Sequence, residues 1–202
     1  MTGDKPSDPI ERMFLGNEVF RATDFLPNLT YWRKIVLEQQ PKILWIGCSD
    51  SRVNPERITG SVPGELFVQR NIGNIVPLQD WNFTTVLEYA LMHLMVEHII
   101  ICGHSDCGAI KALDNDDNGD YYISVWLNNA MEAKERVDAK IKKPETPEEI
   151  RARIRMIELE NIRLQMEHLK LHPLVKKTIK ERPIAFHCLY FDLTSGKLTR
   201  VD

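Results

Sequence analysis

Short apolar runs rich in β-branched residues alternate along the chain with longer segments in which apolar residues recur every three or four positions. The short runs predict four strands. They lie at Ile43–Ile46, Glu65–Gln69, His98–Cys102 and Ile184–Tyr190. The first and third are nearly continuous in apolar residues, which indicates strands that are buried on both faces.

Two longer segments have the periodicity of an amphipathic helix. The segment from Thr84 to Met95 presents one apolar face, formed by Val86, Leu87, Ala90, Leu91, Leu94 and Met95. A second helix is predicted from Pro147 to His168, with a stripe made of Ile150, Ile154, Ile157, Asn161, Leu164 and His168. The alternation predicts an α/β fold, in which helices flank a mainly parallel β-sheet.

The composition is that of one soluble domain over residues 1–202, since 43% of the residues are hydrophobic and 27% are charged. A net charge of −3 offers no basic stripe for nucleic acid. No apolar stretch approaches the ~20 residues of a membrane-spanning helix, and Met1–Asp8 lacks the features of a signal peptide. We expect a cytoplasmic protein with no nucleic-acid and no membrane partner.

The segment Pro9–Phe25 carries more apolar and aromatic surface than a chain terminus needs. It predicts a helical arm over about residues 1–26, which must cover some other surface. Packing on its own subunit and packing on a partner subunit are both open.

Two short motifs combine side chains that bind a transition metal. Residues 48–52 read Cys-Ser-Asp-Ser-Arg, and residues 104–108 read His-Ser-Asp-Cys-Gly. Each motif begins where a predicted strand stops, and ligands of open α/β sheets bind at the carboxyl ends of strands. Two thiolates and an imidazole suit a borderline-soft ion such as Zn²⁺.

The spacing within the motifs suggests how they converge. On an extended segment Cys48 and Asp50, two residues apart, point to the same side, and so does Arg52. Gly47 and Gly103 precede the two motifs, and we expect them to let the backbone approach a metal closely.

The paired motifs CxDxR and HxxC resemble those of the β-class carbonic anhydrases. The likeness spans about Ile10 to Thr199. It continues through Pro63–Val68, Arg70–Asn74, Leu87–Ala90, Ile101–His104 and Asn161–Gln165.

The resemblance implies a zinc ion held always by Cys48, His104 and Cys107 and sometimes by Asp50. It also implies that Asp50 exchanges the zinc for Arg52, so that this catalytic Asp/Arg dyad gates the metal. Zinc-bound hydroxide would then hydrate carbon dioxide reversibly to bicarbonate and a proton. Taken alone, Asp50 and Arg52 are equally well explained as an ordinary ion pair.

The resemblance further implies a homodimer or a dimer-based higher oligomer, with a narrow apolar substrate pocket over the zinc. Its lining residues are Gln39, Phe67, Ile72, Tyr89 and Gly108. From sequence alone the apolar members are equally well explained by core packing, and Gln39 by a surface position.

Some members of the β-class have a second, non-catalytic bicarbonate site built from a Trp, an Arg and a Tyr. Trp45 and Arg70 match two of these positions, whereas Phe191 stands where the Tyr would be. Because Phe191 cannot donate a hydrogen bond, the resemblance implies weak inhibition by bicarbonate and an open zinc near or above neutral pH, with Asp50 paired to Arg52.

Other polar residues have simpler interpretations. Cys102 and Cys188 lie in apolar runs and are assigned to core packing, and Asp106 to a solvated or helix-capping position. Residues 114–120 lack the final Glu of a calcium-binding EF-hand loop and are assigned to a solvated loop. Five further histidines lack a cysteine at metal spacing, namely His93, His98, His168, His172 and His187.

Three other functions compete with carbon dioxide hydration. A hydrolase for CS₂ or COS on the same fold would use the same nucleophile, and a zinc-binding regulatory protein would keep its site permanently closed. A thiol redox protein would need a CxxC motif, whereas Cys48 and Cys107 are far apart in sequence.

Overall fold

The computed structural model describes residues 7–115 and 120–202. The chain divides into two compact units, Met1–Gln39 and Gln40–Asp202. No helix within the described residues has the length and apolar composition needed to cross a membrane.

The first unit is helical, as the sequence predicts for the arm. Helix α1 (Pro9–Phe20) begins after Asp8, whose carboxylate accepts a hydrogen bond from the Ile10 amide. It continues through a π-helical turn, Arg21–Phe25, and is followed by α2 (Leu29–Leu37). The ring of Trp32 in α2 contacts Phe20 and Phe25, at centroid distances of 5.5 and 5.3 Å. Part of the aromatic surface of the arm is therefore covered within the first unit, and packing of the arm on a partner stays a prediction.

The second unit is built on a five-stranded sheet in the order β2-β1-β3-β4-β5. The strands are β1 (Ile43–Cys48), β2 (Leu66–Asn71), β3 (His98–His104), β4 (Ala185–Asp192) and β5 (Lys197–Arg200). The first four are parallel, and β5 pairs antiparallel with β4. The predicted α/β fold with a mainly parallel sheet is confirmed.

Within residues 40–115 and 120–202, six α-helices flank the sheet or connect its strands. They are α3 (Pro55–Thr59), α4 (Trp81–Glu88), α5 (Gly108–Ala112), α6 (Tyr121–Asp138), α7 (Pro147–Leu171) and α8 (Pro173–Glu181). The helix predicted from Thr84 starts earlier, because Asp80 accepts a hydrogen bond from the Phe83 amide, and it ends in a π-helical turn, Tyr89–His93. Helix α7 begins as predicted at Pro147, where Thr146 and Glu149 form a capping box.

Side chains alternate between the two faces of the sheet. Leu44, Ile46, Ile99 and Ile101 pack on one face, in a cluster that includes residues of α4, α7 and α8. Trp45, Cys102 and Phe191 pack on the other face, where β5 and α3 add smaller contacts. Cys102 is buried and Cys188 is half-buried, which agrees with the assignment of both to packing.

The two glycines before the metal motifs leave room for large side chains. A Cβ at Gly47 would lie 2.6 Å from the indole Nε1 of Trp45, and a Cβ at Gly103 would lie 2.8 Å from two atoms of Ile162. That these glycines also let the backbone approach a metal stays a prediction. They let large side chains cross the ends of β1 and β3, and the Gly103 contact draws α7 against β3.

Gly103→Ala should lower the free energy of unfolding by about 1–3 kcal/mol, because Ile162 is fully buried and must move to admit a methyl group. Gly108→Ala is the matched control, since a Cβ there meets nothing within 4 Å. Urea unfolding of both variants measures the difference. Equal stability of the two would contradict this role of Gly103.

Candidate metal centre

Three potential metal ligands meet at one edge of the sheet. Cys48 is the last residue of β1, His104 is the last residue of β3, and Cys107 directly precedes α5. Their ligand atoms all lie within 4.8 Å of one another, and all three residues are buried. The strand ends thus bring together three of the four predicted ligands.

His104 is oriented for metal binding. Its Nδ1 lies 2.9 Å from the carbonyl oxygen of Ser105, which fixes Nε2 as the free ring nitrogen. The residue is 1% exposed, and Nε2 has no partner of hydrogen-bonding geometry among the described residues. A buried ring nitrogen left without a partner is costly, so a cation bound by Nε2 and the two sulfurs fits this site.

The two thiols have opposite pKa shifts. The Cys107 thiol donates a hydrogen bond to Cys48, which lowers the pKa of Cys48 below its ordinary value against the effect of burial. The same hydrogen bond, with burial, raises the pKa of Cys107 well above its ordinary value. The pair therefore shares one proton between two sulfurs. A metal ion would take the place of that proton.

Asp50 is not one of the three grouped ligands and pairs with Arg52. Arg52 Nε lies 2.9 Å from Asp50 Oδ1, and Nη2 lies 2.7 Å from Oδ2. These hydrogen bonds hold the pKa of Asp50 well below its usual range. Oδ2 is nevertheless 3.9 Å from His104 Nε2, so Asp50 borders both Arg52 and the ligand cluster.

The local geometry behind this pair differs from the prediction. Residues 49–52 do not extend β1, which ends at Cys48. Instead Asp50 Oδ1 accepts a hydrogen bond from the Arg52 amide at 2.9 Å, which forms a tight side-chain turn. Arg70 holds the same turn, because it donates to the carbonyl oxygens of Cys48 and Asp50 at 2.8 and 2.6 Å.

Asp106 is solvent-exposed, which agrees with one of its two assignments. It does not cap α5, because Cys107 occupies the cap position. Its carboxylate contacts Arg52 Nη1 at 3.0 Å and also Lys111. Asp106 therefore belongs to the charged group around Asp50, which its place between His104 and Cys107 in the motif could have suggested.

Helix α7 supplies polar residues that sequence reasoning did not assign to the site. Glu158 is 3% exposed and accepts hydrogen bonds from the Cys107 amide at 3.0 Å and from the Tyr190 hydroxyl at 2.7 Å. Asn161 donates to the carbonyl oxygen of Gly73, and Gln165 accepts from the Val76 amide. These residues hold the loops around the cluster. The signal was a set of polar residues on the core-facing stripe of a predicted helix.

The predicted substrate-pocket residues lie in different places. Ile72 lines an open cleft of about 1270 Å³ together with Ser49 and Asn71. Phe67 packs on Tyr89, at a centroid distance of 5.7 Å. The remaining two are Gly108, the first residue of α5 next to Cys107, and Gln39, the last residue of the other compact unit. The shared pocket therefore stays a prediction.

Two of the three residues compared with a non-catalytic bicarbonate site, Trp45 and Phe191, lie in one cluster. Trp45 is fully buried and packs in one cluster with Phe191, which is 7% exposed. The indole Nε1 has no acceptor among the described residues. Phe191 contributes no polar atom to this position.

Four of the other histidines contact neighbouring protein groups. His98 Nδ1 lies 3.1 Å from His187 Nε2, His172 caps α8, and His168 lies beside Gln165. Within residues 7–115 and 120–202, the cluster at Cys48 is the only group of three or more such residues placed to hold a metal. The loop assigned over residues 114–120 lies mostly outside the described residues, although Asp114 pairs with Arg153 at 2.7 Å.

Comparisons with known proteins agree with this geometry. A family model described as carbonic anhydrase matches residues 43–198. A carbonic anhydrase of Pseudomonas aeruginosa is 36% identical over 176 residues, which is 85% of this chain and 78% of the relative. One from Synechococcus elongatus is 30% identical over 199 residues, covering 96% and 72%.

Solved structures give the same result. A tetrameric β-carbonic anhydrase of Sordaria macrospora superposes with a TM-score of 0.85 at 32% identity, covering 95% of this chain and 96% of that one. A Coccomyxa β-carbonic anhydrase, solved with acetazolamide, has a TM-score of 0.88 at 28% identity, covering 97% and 87%. The chain belongs to the β-carbonic anhydrase family, and the resemblance seen in its sequence is confirmed.

Cys48→Ser should abolish stoichiometric metal binding, because a neutral hydroxyl is a poor substitute for a thiolate whose pKa is already lowered. Cys188→Ser is the control, because Cys188 packs against the hydrophobic cluster that contains Leu44 and Ile99. That cluster includes neither Cys48 nor Cys107. Elemental analysis after gel filtration measures metal per chain. One metal per chain in Cys48→Ser would contradict the assignment.

Proposed function

We propose that this protein catalyses the reversible hydration of carbon dioxide to bicarbonate and a proton, with zinc held by Cys48, His104 and Cys107. The observation that supports this best is the buried cluster of two thiols and a free imidazole nitrogen, beside a carboxylate that Arg52 turns away. Three protein ligands leave one metal position for chemistry, as in catalytic zinc sites.

Zinc is the ion that this donor set favours. Sulfur and imidazole ligands select a borderline-soft ion over Mg²⁺ or Ca²⁺. When bound, zinc would supply a water molecule that ionises near neutral pH.

Asp50 and Arg52 would act as the gate and the orienting pair. A carboxylate bound to Arg52 through two separate hydrogen bonds is held in one orientation and stays ionised. Asp50 could then accept a hydrogen bond from the reacting water, because its Oδ2 lies 3.9 Å from His104 Nε2. If Asp50 left Arg52 for the metal, the reactive position would be blocked.

The cleft beside the cluster suits an uncharged substrate. Its wall includes Ile72, Leu78, Val125 and Trp126, and the indole of Trp126 donates to the Ile72 carbonyl oxygen at 2.8 Å. An apolar wall attracts carbon dioxide without competing for it through charge. We propose that Phe67, Tyr89, Gly108 and Gln39 complete the pocket in the assembled protein.

We expect a homodimer or a larger assembly of dimers. Large apolar side chains remain exposed beside the cleft, with Trp81 and Tyr122 both 90% exposed. Such a patch is typical of a protein interface. A tetrameric relative supports the same view. Four free cysteines also suit a reducing compartment, for which the cytoplasm remains our prediction.

Stopped-flow measurement of carbon dioxide hydration on zinc-loaded protein tests this function, with hydrolysis of CS₂ and COS measured on the same sample. The rate should rise with pH between ~7 and 9. Asp50 does not cause this rise, because its lowered pKa keeps it ionised throughout that range. A flat profile from pH 6 to 9 would contradict the proposed nucleophile, and CS₂ or COS as the better substrate would favour the rival hydrolase.

Arg52→Ala should keep the metal and lose most of the hydration activity near neutral pH. Without Arg52, Asp50 loses both side-chain hydrogen bonds that turn it away from the ligand cluster. Arg57→Ala, on the neighbouring helix α3, is the control. Near-normal turnover of Arg52→Ala at pH 7 would show that the pair does not gate the site.

Bicarbonate should inhibit the wild type only weakly, and Phe191→Tyr should strengthen the inhibition. A tyrosine hydroxyl restores a donor worth ~1–3 kcal/mol beside the unpartnered Trp45 indole. Phe186→Tyr, on the other face of the same strand, is the matched control. The inhibition constants come from initial rates at rising bicarbonate. Strong inhibition of the wild type at low millimolar bicarbonate would contradict the importance of Phe191.

A further inference from the structure

Arg52 lies between two carboxylates, and the second one comes from the other metal-binding motif. Asp50 occupies the edge of the guanidinium formed by Nε and Nη2. Asp106 Oδ2 accepts from Nη1 at 3.0 Å, and the Asp106 carbonyl oxygen accepts from Nη2 at 3.2 Å. The guanidinium therefore joins the loop after β1 to the loop after β3.

The backbone at Asp106 makes this contact possible. Its φ of 60° lies in the left-handed region, which few residues other than glycine adopt and which Asp tolerates better than most. This conformation accompanies an arrangement in which the carbonyl oxygen and the carboxylate of one residue both face Arg52. Lys111 contacts the other carboxylate oxygen of Asp106. Charges alternate in sign through Asp50, Arg52, Asp106 and Lys111.

We propose that Asp106 is a positioning residue that holds the guanidinium of Arg52 against Asp50 and so keeps Asp50 away from the metal. The side chain of Arg52 is 49% exposed. Among the described residues its guanidinium has hydrogen bonds to Asp50 and Asp106 only. Without Asp106, an exposed arginine gains rotamer freedom and spends less time against Asp50. The inference rests on the proposed gating of the site.

Asp106 could instead compete with Asp50 for the charge of Arg52. Two features argue against competition. The two carboxylates use different edges of the guanidinium, which offers five donors in a fixed fork, and Lys111 offsets the negative charge of Asp106. Asp106 should therefore assist the Asp50–Arg52 pair.

Azide binding to cobalt-substituted protein provides the test, because azide can occupy the metal position only when Asp50 has left it. The visible spectrum reports binding without any need for turnover. Asp106→Asn and Asp106→Gly should raise the azide Kd about fivefold, the upper range for a half-exposed ion pair. Glycine suits the positive φ at this position. Asp192→Asn is the control, because Asp192 lines a cavity with Arg52 and Asp106. Its carboxylate is paired with Arg155 and is not among the partners of Arg52.

A double-mutant cycle separates positioning from general destabilisation. In an Arg52→Ala background, Asp106→Asn should change the azide Kd no further, because the residue acts through Arg52. An unchanged or tighter azide Kd in both single variants would overturn the proposal, and so would loss of cobalt from both. If the wild type bound azide but failed to hydrate carbon dioxide, the proposed function would fail, while a raised Kd would still support the role of Asp106.

Discussion

Two thiols and one imidazole, buried within 4.8 Å of one another, impose the constraint on which the rest of this structure depends. Buried ionisable groups are costly unless they are paired, protonated or bound to a metal. Here the pKa of Cys48 is lowered by the Cys107 thiol, and His104 Nε2 has no hydrogen-bonding partner among the described residues. A bound cation resolves both features at once, which is why we place the reaction at this point.

Helix α7 holds the loops that carry these ligands. Glu158 accepts a hydrogen bond from the Cys107 amide, and Gln165 accepts one from the Val76 amide. Asn161 donates a hydrogen bond to the Gly73 carbonyl oxygen. The close contact between Gly103 and Ile162 brings the same helix against β3. Burial raises the pKa of Glu158, while the hydrogen bond from Tyr190 acts in the opposite direction. A buried polar network of this kind fixes geometry well only when its members are satisfied.

The sequence predicted the sheet, the longest helix and the convergence of the two motifs, because each depends on local periodicity or on strand ends. It did not predict β5, whose four residues are exposed or half-buried and have no strong apolar pattern. The contact of Gly103 with Ile162 and the role of Asp106 depend on residues far apart in the chain. The turn at Asp50 was missed because a side-chain hydrogen bond, and not continued strand geometry, brings Arg52 to it.

X-ray absorption at the zinc edge, on protein purified without added metal and quantified for zinc, tests whether Cys48, His104 and Cys107 bind zinc. We expect one zinc per chain with two sulfur neighbours at ~2.3 Å and nitrogen or oxygen neighbours at ~2.0–2.1 Å. Cys48 and Cys107 would supply the sulfurs, and His104 the nitrogen. A spectrum with four sulfur neighbours, or protein that retains no zinc while Cys48 and Cys107 remain reduced, would contradict it.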